Sequence, residues 1–124
     1  MQAYDAARFD PPAPLAMVGV KSEEFGIDLP SVPMLIDTGA DVSLLPRSYV
    51  ARLVSPDAKR YELESFDGTK TTAPSVTAEL NFLGKSFRGQ FLLIDGEYGI
   101  LGRKVLNNLA LVFDGPSLSW TERR

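Results

Sequence analysis

The chain of 124 residues contains no histidine and no cysteine. Their absence removes imidazole as a base, thiolate as a nucleophile, and the usual zinc ligand sets. It also removes any disulfide framework, which fits a reducing compartment. Long apolar runs are missing too. No window approaches the roughly 20 apolar residues of a membrane-spanning helix, and residues 1–9 lack the apolar stretch of a signal peptide. Positive charge is scarce: 13 Lys and Arg against 16 Asp and Glu give a net charge of -3. The cations are scattered, apart from Arg123-Arg124, which argues against a nucleic-acid surface. The expectation is a soluble cytoplasmic protein, or a soluble domain of a longer chain, with neither nucleic acid nor membrane as partner. If it does chemistry, carboxylates must do it.

What is present is enough for one ordinary domain with its own core. Asp10-Pro11-Pro12-Ala13-Pro14 forbids a helix and favours an extended path. Residues 1–13 therefore read as a flexible, proline-rich arm, and 14–124 as the folded domain. Strands are expected at 15–20 and 32–36, the second apolar enough to be buried on both faces. Pro46 opens a short helix over 47–53. Residues 61–66 alternate apolar and polar, and Asp67-Gly68 signals a hairpin with a return arm at 69–72. Further strands are expected at 76–82 and 87–94, joined by a turn at Leu83-Gly84-Lys85. A helix is expected over 103–109, and a last hairpin runs from Leu111 to Trp120 around Asp114-Gly115-Pro116. Many short strands with one or two short helices mean a mostly β fold, a closed barrel or sandwich.

The most informative stretch is Met34-Leu35-Ile36-Asp37-Thr38-Gly39-Ala40-Asp41. An apolar strand delivers a carboxylate to the mouth of a tight turn. Read plainly, Asp-Thr-Gly is one more Asp-x-Gly turn. Asp67, Asp95 and Asp114 are also followed by glycine, and each fits a turn. Read chemically, Asp37 is a half-site. Hydrolysis by carboxylates needs one ionised and one protonated group, which share a proton when held about 3 Å apart. A single Asp-Thr-Gly completes such a pair only if two chains meet on a two-fold axis. In that setting Gly39 gives the turn its room, and backbone N–H groups after Asp37 can point at its carboxylate. Leu35 and Ile36 keep the floor dry.

With Gly99-Ile100-Leu101-Gly102-Arg103 downstream, the chain resembles the retropepsin-type (retroviral-like) aspartic proteases over nearly its whole length after the arm. The resemblance implies a closed β-barrel of the acid-protease type that works as a homodimer on an extended peptide or protein substrate. It implies no metal and no organic cofactor. By the same likeness Asp37, Thr38 and Gly39 would be catalytic, with Thr38 bonding across to the partner's loop. Ala40, Asp41, Phe66, Asp67, Gly68, Thr69, Ile100 and Leu101 would meet substrate, with Phe66 to Thr69 at the tip of a closing flap. Gly102 and Arg103 would support the loop, Arg103 by pairing with Asp41.

Some readings stay open at this level. Phe66 reads equally as a strand core residue. Trp120 reads as a packing or interface anchor, and Tyr61 has nothing to place it. The terminal hairpin resembles that of cellular and bacterial relatives, and its strands could interleave with a partner's. Function divides between an endopeptidase and a catalytically silent dimeric peptide-binding module on the same fold. A third option is a domain active only after release from a precursor, cut near the prolines.

Overall fold

The computed structural model describes residues 1–51, 60–65 and 67–123. Its main body is a sheet that closes on itself. Strand β2 (Leu15–Ser22) turns through 23–26 into β3 (Ile27–Ile36). The two pair antiparallel, with a register shift between Val18 and Val20. There β3 carries Pro30, which cannot donate to a ladder. Beyond Gly19 the strand β2 turns to a second neighbour, β6 (Lys70–Phe82), and that pairing closes the barrel. Around the wall the order runs β2, β3, β8 (Gly99–Leu101), β4 (Leu44–Pro46), β7 (Lys85–Ile94), β6 and back to β2. Strand β5 (Arg60–Glu64) adds to β6 outside the ring.

The core fills this barrel. Val18, Val20, Val32, Met34, Leu45, Val50, Leu80, Leu93 and Leu101 have no more than 1% of their surface exposed. Strand β3 is buried through Val32, Pro33, Met34 and Ile36, as its apolar run requires. At its end β8 lies between β3 and β4, parallel to β3 and antiparallel to β4. The loop from Asp37 to Ser43 must therefore hop over β8 to reach β4.

Strand β3 starts earlier than expected, β1 (Gln2–Ala3) and β4 were not expected as strands, and three further differences have a physical reason. The strands expected at 69–72 and 76–82 are one continuous strand, β6, which starts at Lys70. Residues 70–74 pair with β5, exposed at 70–72 and buried at Ala73 and Pro74, while residues 75–82 pair with β7 in the wall. Proline at 74 is tolerated where the strand passes from one role to the other. Helix α1 (Arg47–Val50) is shorter than expected, and Leu53 lies outside the described residues. Helix α2 (Arg103–Leu106) also stops early. Asn107 and Asn108 are poor helix formers, and the chain tightens through Asn108 N to Val105 O and Leu109 N to Leu106 O, both 3.0 Å.

The chain ends form a second, three-stranded sheet. Strands β9 (Leu111–Asp114) and β10 (Ser119–Glu122) make the terminal hairpin, as expected. Strand β1 (Gln2–Ala3) covers the other edge of β10. Residues 1–13 continue along the body: Asp5 bridges Ala13, and the Phe9 and Tyr98 rings lie 4.8 Å apart. The Asp5 carboxyl accepts from the Arg8 and Ala7 amides and the Arg8 guanidinium, which holds it below the ordinary aspartate range. Trp120 is buried and tilts against Phe82 at 6.0 Å, so it joins this sheet to the barrel. Its sequence reading as a packing anchor is what the structure shows. Among the described residues no helix is long and apolar enough to cross a membrane.

Candidate active site

Strand β3 carries Met34 and Ile36 into the core and releases the chain at Asp37. From there five polar groups of the loop are tied to β8 or to the start of α2, and two more bonds close within the loop. The Asp37 N–H donates to the Leu101 carbonyl at 3.0 Å, and the Asp37 carbonyl accepts from Ala40 N at 3.2 Å. The Gly39 N–H donates to Asp37 Oδ1 at 2.9 Å, so a backbone amide does point at the carboxylate. A Cβ on Gly39 would sit 3.2 Å from that oxygen, so glycine keeps the turn uncrowded.

Four further bonds fasten the far side. Arg103 N donates to the Ala40 carbonyl at 2.8 Å, and Lys104 N to the Asp41 carbonyl at 3.3 Å. Arg103 Nη1 donates to the Thr38 carbonyl at 2.8 Å. Gly102 N donates to Ser43 Oγ at 2.9 Å in a buried setting. The expected Asp41–Arg103 ion pair is not formed: the guanidinium turns to the Thr38 carbonyl instead, and Asp41 is left exposed. Both side chains are at the surface, where an ion pair contributes little. A short charge-assisted bond to a fixed carbonyl competes well with it.

Gly99 and Gly102 are explained by close approach. A Cβ on Gly99 would run into the Leu44 carbonyl oxygen and come within 2.8 Å of Pro46 Cδ. One on Gly102 would strike the Val42 carbonyl and lie 2.9 Å from the Ala40 oxygen. The glycines at both ends of Gly99-Ile100-Leu101-Gly102 are what let the loop and β4 wrap this tightly over β8.

A cleft of about 660 Å³ opens beside the loop. Asp37, Gly39, Ala40 and Asp41 line one side with Val42, Leu44, Ile94 and Ile100, and Leu63, Glu64, Ser65 and Thr71 of the β5–β6 hairpin line the other. The structure thus brings the acidic loop, Ile100 and the hairpin together. It does not bring in every residue expected at a substrate. Leu101 is fully buried and acts through its carbonyl on Asp37. Thr38 faces a different groove, with Arg103. Asp67, Gly68 and Thr69 form an exposed turn outside the cleft lining, with Gly68 at φ 84°. The Asp67 carboxyl accepts from Thr69 N at 2.9 Å, and hydrogen bonds from Thr69 lower its pKa. Phe66 lies outside the described residues. Asp95 and Asp114 serve turns, as read: Arg47 Nε meets Asp95 at 3.0 Å, and Ser117 N donates to Asp114 at 3.2 Å. Tyr61 donates from its hydroxyl to Gln90 Oε1 at 3.2 Å.

Sequence reasoning missed Ser43 and the hairpin residues Leu63, Glu64, Ser65 and Thr71. A bond between residues 59 apart leaves no local pattern. Removing the Ser43 hydroxyl leaves a buried N–H without an acceptor, which costs about 1–3 kcal/mol. Ser43→Ala is accordingly expected to lower the urea midpoint with an unchanged slope.

A family model described as retroviral aspartyl protease matches residues 12–113. Among solved structures the chain is similar to the EIAV protease complexed with the inhibitor HBY-793. The TM-score is 0.52 at 22% identity, covering 77% of this chain and 86% of that one. At that identity the likeness speaks for the fold alone. No curated protein matches the chain.

Proposed function

This chain belongs to the retroviral aspartyl protease family, and from that premise we propose that it is an aspartic endopeptidase working as a homodimer. The observation that carries the reading is the placement of Asp37. It stands half-buried on a rigidly tied loop, at the wall of a cleft that an exposed β-hairpin overhangs. Residues 14–124 then make up the protease domain, with residues 1–13 as an arm laid along it.

In this reading two Asp37 carboxyls, one from each subunit, hold a water between them. One is ionised and takes a proton from the water as its oxygen attacks the scissile carbonyl. The other is protonated and donates to the carbonyl oxygen. The tetrahedral diol then collapses: the first carboxyl passes its proton to the peptide nitrogen, which leaves, and the second takes back a proton from a diol hydroxyl. No acyl-enzyme forms, and the proton-sharing belongs to the pair. The substrate lies extended along the cleft, adding its backbone as a strand under the β5–β6 flap. Val42, Leu44, Leu63, Ile94 and Ile100 would favour apolar side chains at the cleaved bond.

The terminal sheet supports a way for two copies to meet. Strand β1 already occupies one edge of β10, so the sheet can grow through the free edge of β9. Val112 and Phe113 on β9 are 44% and 42% exposed, an unusual burden for a solitary edge strand. Edge-to-edge pairing of β9 with its copy suits this arrangement better than the interleaving of hairpins expected from sequence. The test is cleavage of unfolded protein and peptide substrates from acidic to neutral pH, read by mass spectrometry. At low concentration the rate is expected to rise as the square of chain concentration. A rate linear in chain concentration, in samples that light scattering shows to be monomeric, would overturn the dimer. Peptide binding without cleavage at any pH would instead assign a silent binding module.

A further inference from the structure

The Thr38–Gly39 peptide group is gripped from both sides. Its carbonyl accepts Arg103 Nη1 at 2.8 Å, and its N–H donates to Asp37 Oδ1 at 2.9 Å. A peptide plane rotates as a unit, so the two bonds stand or fall together. Glycine at position 39 makes the opposite orientation sterically cheap, because no Cβ resists it. In that orientation a carbonyl oxygen would face the carboxylate, and two acceptors would oppose each other. The carboxylate therefore favours the observed orientation from inside the turn, and a donor on the opposite side of the peptide would hold it there.

Arg103 is placed for that task. Its own N–H is fixed on the Ala40 carbonyl at 2.8 Å, so the guanidinium reaches back from an anchored backbone. A charged donor makes a shorter, stronger bond than a neutral one. It also polarises the amide it holds and strengthens the N–H on the other side. We infer that Arg103 is a positioning residue for the acid: its guanidinium sets the Thr38–Gly39 peptide and thereby keeps the Gly39 N–H on Asp37 Oδ1. The carboxylate is held in one rotation, with Oδ2 left to meet water. Arg103 touches neither substrate nor the reacting atoms.

The relay itself can be tested without assuming proteolysis, while its kinetic consequence rests on the function proposed above. In a spectrum of 15N-labelled protein the Gly39 amide proton should lie downfield, as a carboxylate-bound N–H does. Asp37→Ala removes the acceptor and calibrates the upfield displacement. Arg103→Met is expected to move the same resonance most of that way, although the Arg103 side chain bonds the Thr38 carbonyl and not the Gly39 N–H. Arg103→Lys, which keeps a charged donor, should give an intermediate position. In the kinetic arm Arg103→Met should lose about a hundredfold in kcat, the order expected of a misplaced reacting group. KM should stay within about threefold, with the dimer retained by light scattering and Arg103→Lys recovering part of kcat. A Gly39 resonance unmoved in Arg103→Met overturns the inference. Should that variant fail to fold, Arg103→Lys decides alone: a wild-type resonance position together with a large loss of kcat overturns it. An amide that moves as described in a protein with no peptidase activity would keep the relay and reject the protease.

Discussion

Asp37→Asn is expected to lower peptidase activity by roughly 10⁴-fold or more while the barrel and the dimer persist. General acid and general base catalysis each contribute about 10²–10⁴ in rate, and in a symmetric dimer one substitution removes both. The local structure should survive, because the asparagine side-chain oxygen can still accept the Gly39 N–H that Asp37 Oδ1 accepts at 2.9 Å. The loop's other ties, to Leu101, Ala40 and Arg103, are main-chain groups or carbonyl acceptors that the change does not touch. Sedimentation and circular dichroism check dimer and fold, and peptide turnover checks activity. Mixing sharpens the test. When inactive chains exchange with active ones, activity should fall as the square of the active fraction, since a hybrid holds one carboxylate. A linear fall would mean each chain works alone, and near-wild-type turnover by the pure variant would remove Asp37 from the chemistry.

Gly102→Ala should be, with Gly99→Ala, among the most disruptive glycine-to-alanine changes in the described residues. The added methyl would be driven into the Val42 carbonyl and toward the Ala40 oxygen. Both are backbone atoms, so no side-chain rotation makes room. Overpacking of this kind costs about 3 kcal/mol, a large part of the roughly 5–15 kcal/mol that holds a domain together. The damage is also directional. Pushing Val42 outward pulls Ser43 from the Gly102 N–H and Ala40 from the Arg103 N–H, the bonds that seat the acidic loop. Activity should therefore fall further than the folded fraction does. Gly89→Ala is the matched control: a Cβ there meets nothing within 4 Å, and its melting temperature should barely change. Equal behaviour of the two variants in thermal melts would contradict the close-approach account of the second glycine signature.

The parts of this molecule that were legible in its sequence are those encoded by neighbouring residues. The apolar run ending at Asp37, the Leu83-Gly84 turn and the Asp114-Gly115-Pro116 hairpin are local patterns, and the structure carries them where expected. Gly99-Ile100-Leu101-Gly102 was recognisable as a motif, but its reason was not. Only the packed loop shows that both glycines face main-chain carbonyls. The rest was hidden because it is long-range. Nothing local says that Ser43 will meet Gly102, or that Gln2 will pair opposite Trp120. The Asp41–Arg103 ion pair failed for a related reason. Opposite charges were matched by likeness, whereas the guanidinium found a carbonyl already fixed in place. Continuity of β6 past Pro74 was missed because proline signals a break. Here the strand merely changes partners, from β5 to β7 and β2.

Trp120 is the chain's only tryptophan, and it sits at the seam where the terminal sheet meets Phe82 of the barrel. The molecule therefore carries its own optical reporter. Parting of sheet and barrel would wet the indole and redden its emission. Motion confined to the overhanging hairpin, whose strands hold no indole, would leave that colour unchanged.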